Sequence, residues 1–214
     1  VQGAVEPWSK RQLLPGMLYD LASLTKVVGT TTRILQLIDM GELDFFSSVQ
    51  SIIAEFRYPE VRVENLLLHN SGLPAEIGKK GPGRDELLKG LFSLRLQEKP
   101  GASMCYSDPG FILLGMIVQA MDGCSLEESF QEHIFRPLGM KDTSYHPQGE
   151  LSRFLPEEYR QDRGWVCGEV HDSKAYLLGE SGSAGLFSTL EDMMTFAEVY
   201  VNRDERLFSR AVFE

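Results

Sequence analysis

Apolar positions along this chain recur at helical spacing far more often than they alternate. Behind Ala22, Val27, Ile34, Leu37 and Ile38 stand three, four and seven residues apart, and Gly41 follows as a stop. That spacing predicts a helix opening at Ala22 with these four side chains on its inner face. Further helices are predicted over residues 60–68, after Pro59, and over 85–96, closed by Lys99-Pro100-Gly101. Ser107-Asp108-Pro109 has the form of a helix start, with Ser107 or Asp108 as cap and proline in the first turn. The helix it opens, 110–121, is apolar on most sides and should be buried. Residues 125–135 read as the next helix, with Glu127 and Glu128 in its first turn. A last helix runs from a Ser188 or Thr189 cap through Tyr200, with Met193, Met194 and Phe196 expected in the core. Residues 1–20 read as extended and broken by Pro7 and Pro15, and 137–185 as loop. Strand signal is thin, so any sheet must draw most of its strands from elsewhere.

Composition narrows the classes open to such a chain. With 214 residues, 43% hydrophobic and 24% charged, it can bury a real core, and disorder or low-complexity fibre is excluded. Lys and Arg number 21 against 31 Asp and Glu, a formal charge of -10 that repels phosphate backbones and anionic lipid surfaces, so nucleic acid is not an expected partner. Cys105, Cys124 and Cys167 are too few and too odd in number for a disulfide framework and share no CxxC spacing. Three unpaired thiols fit a reducing, cytoplasmic compartment, although a signal peptide upstream of Val1 stays open. The longest apolar run, residues 111–118, is far shorter than a membrane span. His133, His146 and His171 are widely spaced without an HExxH pattern, so no metal or cofactor is implied.

Chemistry concentrates in two places. Ser23 and Lys26, three residues apart at the start of a helix, lie on one face. A serine hydroxyl needs an adjacent proton acceptor to become a nucleophile, and a lysine one turn away supplies one when burial or a neighbouring cation disfavours its charged form. The second place is Tyr106-Ser107-Asp108, in a polar turn ahead of the buried helix, where a phenol can take and return a proton. His69, in an apolar loop, reads as a structural hydrogen-bonder rather than a base. Gly182, Gly185, Ser181 and Ser183 read either as a cleft wall or as an ordinary turn.

Together these pieces resemble the serine β-lactamases and penicillin-binding proteins. The likeness is to the branch with a tyrosine second motif: class C β-lactamases, low-mass D-alanyl peptidases and related esterases. Five landmarks in that family's order carry it: Tyr19 to Lys26 (YDLASLTK), Leu66 to Pro74 (LLLHNSGLP), Tyr106-Ser107-Asp108 running into Phe111 to Gly115, Phe135 to Thr143 (FRPLGMKDT), and Ala184 to Thr189 (AGLFST) with Asp192 and Phe196. The resemblance implies a two-lobed α/β (α+β) fold across 1–214, with a mainly helical lobe over about 45–180 and a mixed sheet-and-helix lobe from 1–44 and 181–214. It implies Ser23 as the nucleophile that forms an acyl-enzyme, with Lys26 and Tyr106 sharing general acid–base work; which of the two is the formal base stays open. Asp108, where class C enzymes carry asparagine, would contact substrate but cannot donate amide hydrogen bonds, which leans toward peptidases and esterases. The Ser23 N–H would form half of an oxyanion hole, worth about 3 kcal/mol in such sites.

Two departures accompany the resemblance. No Lys-Thr-Gly or His-Thr-Gly triplet occurs, and Ser183-Ala184-Gly185 matches an earlier landmark instead. Members are also longer at both ends, so the chain is expected to be a piece of a longer protein lacking N- and C-terminal sheet strands. The expected function is hydrolysis of a β-lactam, a D-Ala-type peptide or a small ester. The alternative is a catalytically silent relative that binds or regulates. A nucleotide-dependent enzyme is excluded by the lack of a P-loop or GxGxxG.

Overall fold

The computed structural model describes residues 12–78 and 83–213; the extended piece predicted around Pro7 lies outside them. Strand β1 (Tyr19–Asp20) leads into a 3₁₀ turn (Ala22–Leu24), a π-wound segment (Lys26–Thr31) and helix α1 (Thr32–Asp39), which follow one another as a single rod of changing winding. Next come α2 (Val49–Ile52), α3 (Val63–Leu67), α4 (Arg84–Phe92), α5 (Asp108–Asp122) and α6 (Leu126–Phe130). A second π-wound stretch (Gln131–Phe135) passes into α7 (Arg136–Leu138). The hairpin β2 (Tyr159–Arg160) and β3 (Gly164–Trp165), then α8 (Ser173–Leu178), β4 (Phe187–Ser188) and α9 (Leu190–Asn202) complete the order, with a 3₁₀ turn at Arg210–Phe213. Strands β1 and β4 pair antiparallel, Tyr19 opposite Ser188 and Asp20 opposite Phe187.

The winding of the first rod explains where its pattern fails. Ile34 and Leu37 are fully buried, as their spacing predicts, but Val27 is 48% exposed. Inside the π-wound segment the i→i+5 repeat rotates Val27 off the face that Ile34 and Leu37 share. Its carbonyl accepts from the Thr32 hydroxyl at 2.8 Å, closing the wide turn with a side chain. Gly29 is required there because a Cβ would sit 2.3 Å from the Phe130 ring.

α5 is the buried axis of the protein. Ser107 caps it, accepting from Gly110 N at 3.2 Å and donating to the Pro74 carbonyl at 2.8 Å. Phe111, Ile112, Leu113, Leu114, Ile117 and Val118 are all buried along it, in one core with Ile34, Leu37, Phe130 and Phe196. Among these buried apolar groups, Arg33 and Asp122 pair at 2.7 Å with side chains 4% and 5% exposed.

Three predicted features need correction. Helices α3 and α4 are shorter than expected, α4 ending at Phe92 rather than 96. The 137–185 region holds the β2–β3 hairpin and α8; its cap, Asp172, accepts from Lys174 N at 3.0 Å and Ala175 N at 2.8 Å. Met194 is 57% exposed, whereas Phe196 is buried. Two of the family-like landmarks turn out to hold each other. Thr143 Oγ1 lies 2.8 Å from Ser188 Oγ and donates to Asp192 Oδ2 at 2.9 Å, and Asp192 also accepts from Asp142 N at 2.8 Å.

Candidate active site

The site is assembled on the turn where β1 becomes the first rod. Ser23 is exposed at that turn and Lys26 only 3% exposed. Ser23 in the 3₁₀ turn and Lys26 at the start of the π-wound segment stand three residues apart on one continuous rod, and Lys26 Nζ donates to Ser23 Oγ at 3.2 Å. The same ammonium donates to the Ser183 carbonyl at 2.8 Å and meets Asp108 Oδ1 at 2.8 Å. All three N–H donors of Lys26 therefore have acceptors, which compensates the cost of burying its charge.

Tyr106 joins this group through its ring. The Lys26 ammonium lies 4.8 Å from the Tyr106 ring centroid and 5.7 Å from that of Phe111. No hydrogen bond among the described residues links the Tyr106 hydroxyl to Ser23. Thus Lys26 touches both Ser23 and Asp108, and Tyr106, 47% exposed, flanks them.

His69 supports the second motif from beneath. Its Nδ1 accepts from Ser107 N at 2.9 Å, its carbonyl accepts from Cys105 N at 2.7 Å, and its ring packs on Tyr106 with centroids 4.5 Å apart. Accepting at Nδ1 requires the neutral ring. Burial first, and the Lys26 charge second, hold its pKa below the ordinary value. The sequence reading of His69 as a structural hydrogen-bonder agrees with this geometry.

Residues 181–185 are all buried, a wall of backbone set against the site's own side chains. Gly182 and Ser183 present their carbonyls to Thr30 Oγ1 and Lys26 Nζ, both at 2.8 Å. Gly182 is pressed on α5, where a Cβ would stand 2.2 Å from the Phe111 carbonyl oxygen. Sequence reasoning passed over two residues at this site. Lys174, at the start of α8, lies 3.6 Å from Asp108 Oδ2, so Asp108 is shared between two ammonium groups. Asp20 accepts from Ala22 N at 2.7 Å and from His171 N at 2.8 Å. The available signal for Asp20 was its place inside the Tyr19 to Lys26 landmark, three residues before Ser23, and Lys174 had none.

Ala22 and His69 are two of three non-glycine residues with positive φ among those described, at 45° and 55°. Such backbone costs about 1–2 kcal/mol for a residue with a Cβ. Its concentration beside Ser23 and Tyr106 is the distribution expected of a site that holds strained geometry for a purpose.

Comparison with known proteins identifies the family and the fold. Residues 5–212 match the family model described as Beta-lactamase. The chain is 29% identical over 223 residues to an N-acetylmuramyl-L-alanine amidase of Bacillus subtilis (strain 168), covering 87% of this chain and 50% of that one. It is 30% identical over 237 residues to a putative D-alanyl-D-alanine carboxypeptidase of Escherichia coli O157:H7, covering 91% of this chain and 54% of that one. It thus spans about half the length of these curated relatives. A penicillin binding protein from Bacillus halodurans superposes with a TM-score of 0.77 at 21% identity, covering 99% of this chain and 68% of that chain. That likeness shows the β-lactamase/transpeptidase-like fold, here rich in helix with small sheets.

Proposed function

We propose that this chain, which belongs to the β-lactamase family, is a serine hydrolase acting through an acyl-Ser23 intermediate on an amide or ester, with peptide-like amides as the leading substrate class. The observation that carries this reading is the buried Lys26 ammonium, bound at once to Ser23 Oγ, Ser183 O and Asp108. Ser23 Oγ attacks the substrate carbonyl as its proton passes to the Lys26–Tyr106 pair, which acts in the form one proton short, Lys26 as the amine or Tyr106 as the phenolate. The C–N or C–O bond then breaks as that proton reaches the leaving group, and water later releases the acyl group by the same route in reverse. The Ser23 N–H supplies one oxyanion contact. Asp108 keeps a contact with substrate in this scheme while its Oδ1 holds Lys26 in place.

Two observations favour amide and peptide substrates over β-lactams. The relatives that the chain matches are named an amidase and a putative D-alanyl-D-alanine carboxypeptidase. An aspartate at 108 also offers acceptors where asparagine would offer an amide donor. The division into a helical lobe, 45–180, and a mixed lobe, 1–44 with 181–214, belongs to the same proposal. Ser23, Lys26 and Ser183 come from the second, and Tyr106, Asp108, His69 and Lys174 from the first.

The test is intact-mass spectrometry after exposure to a fluorophosphonate and, separately, to a penicillin, with Ser23→Ala as control. A single adduct lost in Ser23→Ala supports the reading, and the penicillin lane separates lactam recognition from general acyl transfer. Absence of any adduct on the wild-type chain would mean that this piece lacks a working site, and the same test on a longer gene product would then separate a truncated enzyme from the silent, binding alternative. Ser23→Ala and Lys26→Ala should each nearly abolish turnover and Tyr106→Phe should cut it steeply, with losses that do not add because the groups act as a unit.

A further inference from the structure

Asp20 has an unusual set of partners for a half-buried carboxylate. Among the described residues no cation pairs with it. Its Oδ1 accepts from Ala22 N at 2.7 Å and its Oδ2 from His171 N at 2.8 Å. It also lies near another acid: Glu157, whose carboxyl is pushed up by burial first and by the Asp20 charge second. A carboxylate set beside a second acid is held by its two backbone contacts, since a neutral or apolar residue would avoid the repulsion.

Each contact controls a different part of the site. The first closes a tight loop around Leu21 and secures Ala22 at φ 45°, the residue immediately before Ser23. The second fixes the segment that enters α8, where His171 Nε2 also meets Glu158 Oε1 at 2.8 Å and Asp172 caps the helix. Two residues past that cap, Lys174 reaches Asp108, which holds Lys26, which holds Ser23. The contacts therefore form a closed ring from Ser23 through Lys26, Asp108, Lys174, the 171–174 backbone, Asp20 and Ala22 back to Ser23.

We infer that Asp20 is a positioning residue of this site: its carboxylate locks the nucleophile turn to the 171–174 segment. The inference rests on Ser23 as the nucleophile. Asp20 itself touches no reacting atom. Its contribution is to hold Ser23 Oγ where Lys26 meets it, and misplacement by about 1 Å costs on the order of 100-fold in such geometry.

The experiment compares wild type, Asp20→Ala, Asp20→Asn and Ser23→Ala. Three readouts are taken: the second-order rate of Ser23 labelling by a fluorophosphonate, kcat and KM on a neutral p-nitrophenyl ester, and amide exchange at Ala22 and His171. Asp20→Ala should label about 100-fold more slowly, lose kcat with KM within about twofold, and exchange faster at both amides. Asp20→Asn should fall between, because its carbonyl retains one N–H while its NH₂ group faces the other donor. A purely structural role would lower the unfolding temperature and the fraction of active protein, while kcat per titrated site and the second-order labelling constant stayed at the wild-type values. Wild-type labelling and exchange in folded Asp20→Ala would overturn the inference and leave Ser23 as nucleophile standing. An unreactive wild-type chain would refute the nucleophile, and the positioning role with it.

Discussion

Gly182→Ala tests how the carbonyl wall is held against α5. The new Cβ would lie 2.2 Å from the Phe111 carbonyl oxygen, 2.8 Å from Gly115 N and 2.9 Å from Gly115 Cα, whereas ordinary contact begins near 3.4 Å. These are backbone atoms of a buried helix and cannot swing aside, so the 181–184 segment must retreat by about 1.2 Å. Two hydrogen bonds depend on its position, Thr30 Oγ1 to Gly182 O and Lys26 Nζ to Ser183 O, both 2.8 Å long. A retreat of that size carries both past hydrogen-bonding distance. Overpacking alone costs about 1–3 kcal/mol, and each buried bond lost adds about 1 kcal/mol. Freed from Ser183, Lys26 shifts relative to Ser23, and labelling by a fluorophosphonate should slow by roughly 100-fold. The assay pairs thermal unfolding with the labelling rate, using Gly78→Ala as control because a Cβ there meets nothing within 4 Å. Gly115→Ala should reproduce the effect from the other side, its Cβ standing 2.8 Å from Gly182 N. A Gly182→Ala protein with wild-type stability and labelling rate would refute the reasoning.

The buried pair at the far end of α5 predicts an asymmetric mutational response. Arg33 donates to both oxygens of Asp122 at 2.9 and 2.7 Å, and Ser129 Oγ donates to Oδ2 at 2.6 Å. Arg33→Met should therefore cost about 3–5 kcal/mol in urea unfolding by leaving a buried carboxylate, and adding Asp122→Leu should restore part of that loss. His69 predicts a pH dependence. Its folded pKa lies below the ordinary 6.5, so between the two values the unfolded chain takes up a proton that the folded chain refuses. The His69 contribution is complete above 6.5 and is lost as pH falls below it. Urea midpoints measured from pH 7.5 down to 5 should decline, and His69→Asn should flatten that part of the curve. A His69→Asn protein with the wild-type slope would assign the decline to other groups.

Local signals carried far along this chain. Ser23 and Lys26 were legible because three-residue spacing alone aligns their side chains, and the structure brings them together. α5 was legible because Ser107 and Pro109 announce its start and an apolar run follows. The family resemblance was legible because its landmarks are scaffold ties as well as chemistry, as Thr143, Ser188 and Asp192 show by holding one another. Other features had no local signal. Val27 faces solvent because it lies in a π-wound stretch, the one that sets Gly29 against Phe130, and no apolar period announces a change of winding. α8 hid among turn residues because it is six residues long and depends on one aspartate cap. The partners of Lys26 on Asp108 and Ser183, and of Asp20 on His171, join residues far apart in sequence. Spacing along the chain determines which side chains share a turn. Only the packing of the 181–184 wall on α5, glycine against glycine, decides which carbonyls and carboxylates surround the lysine.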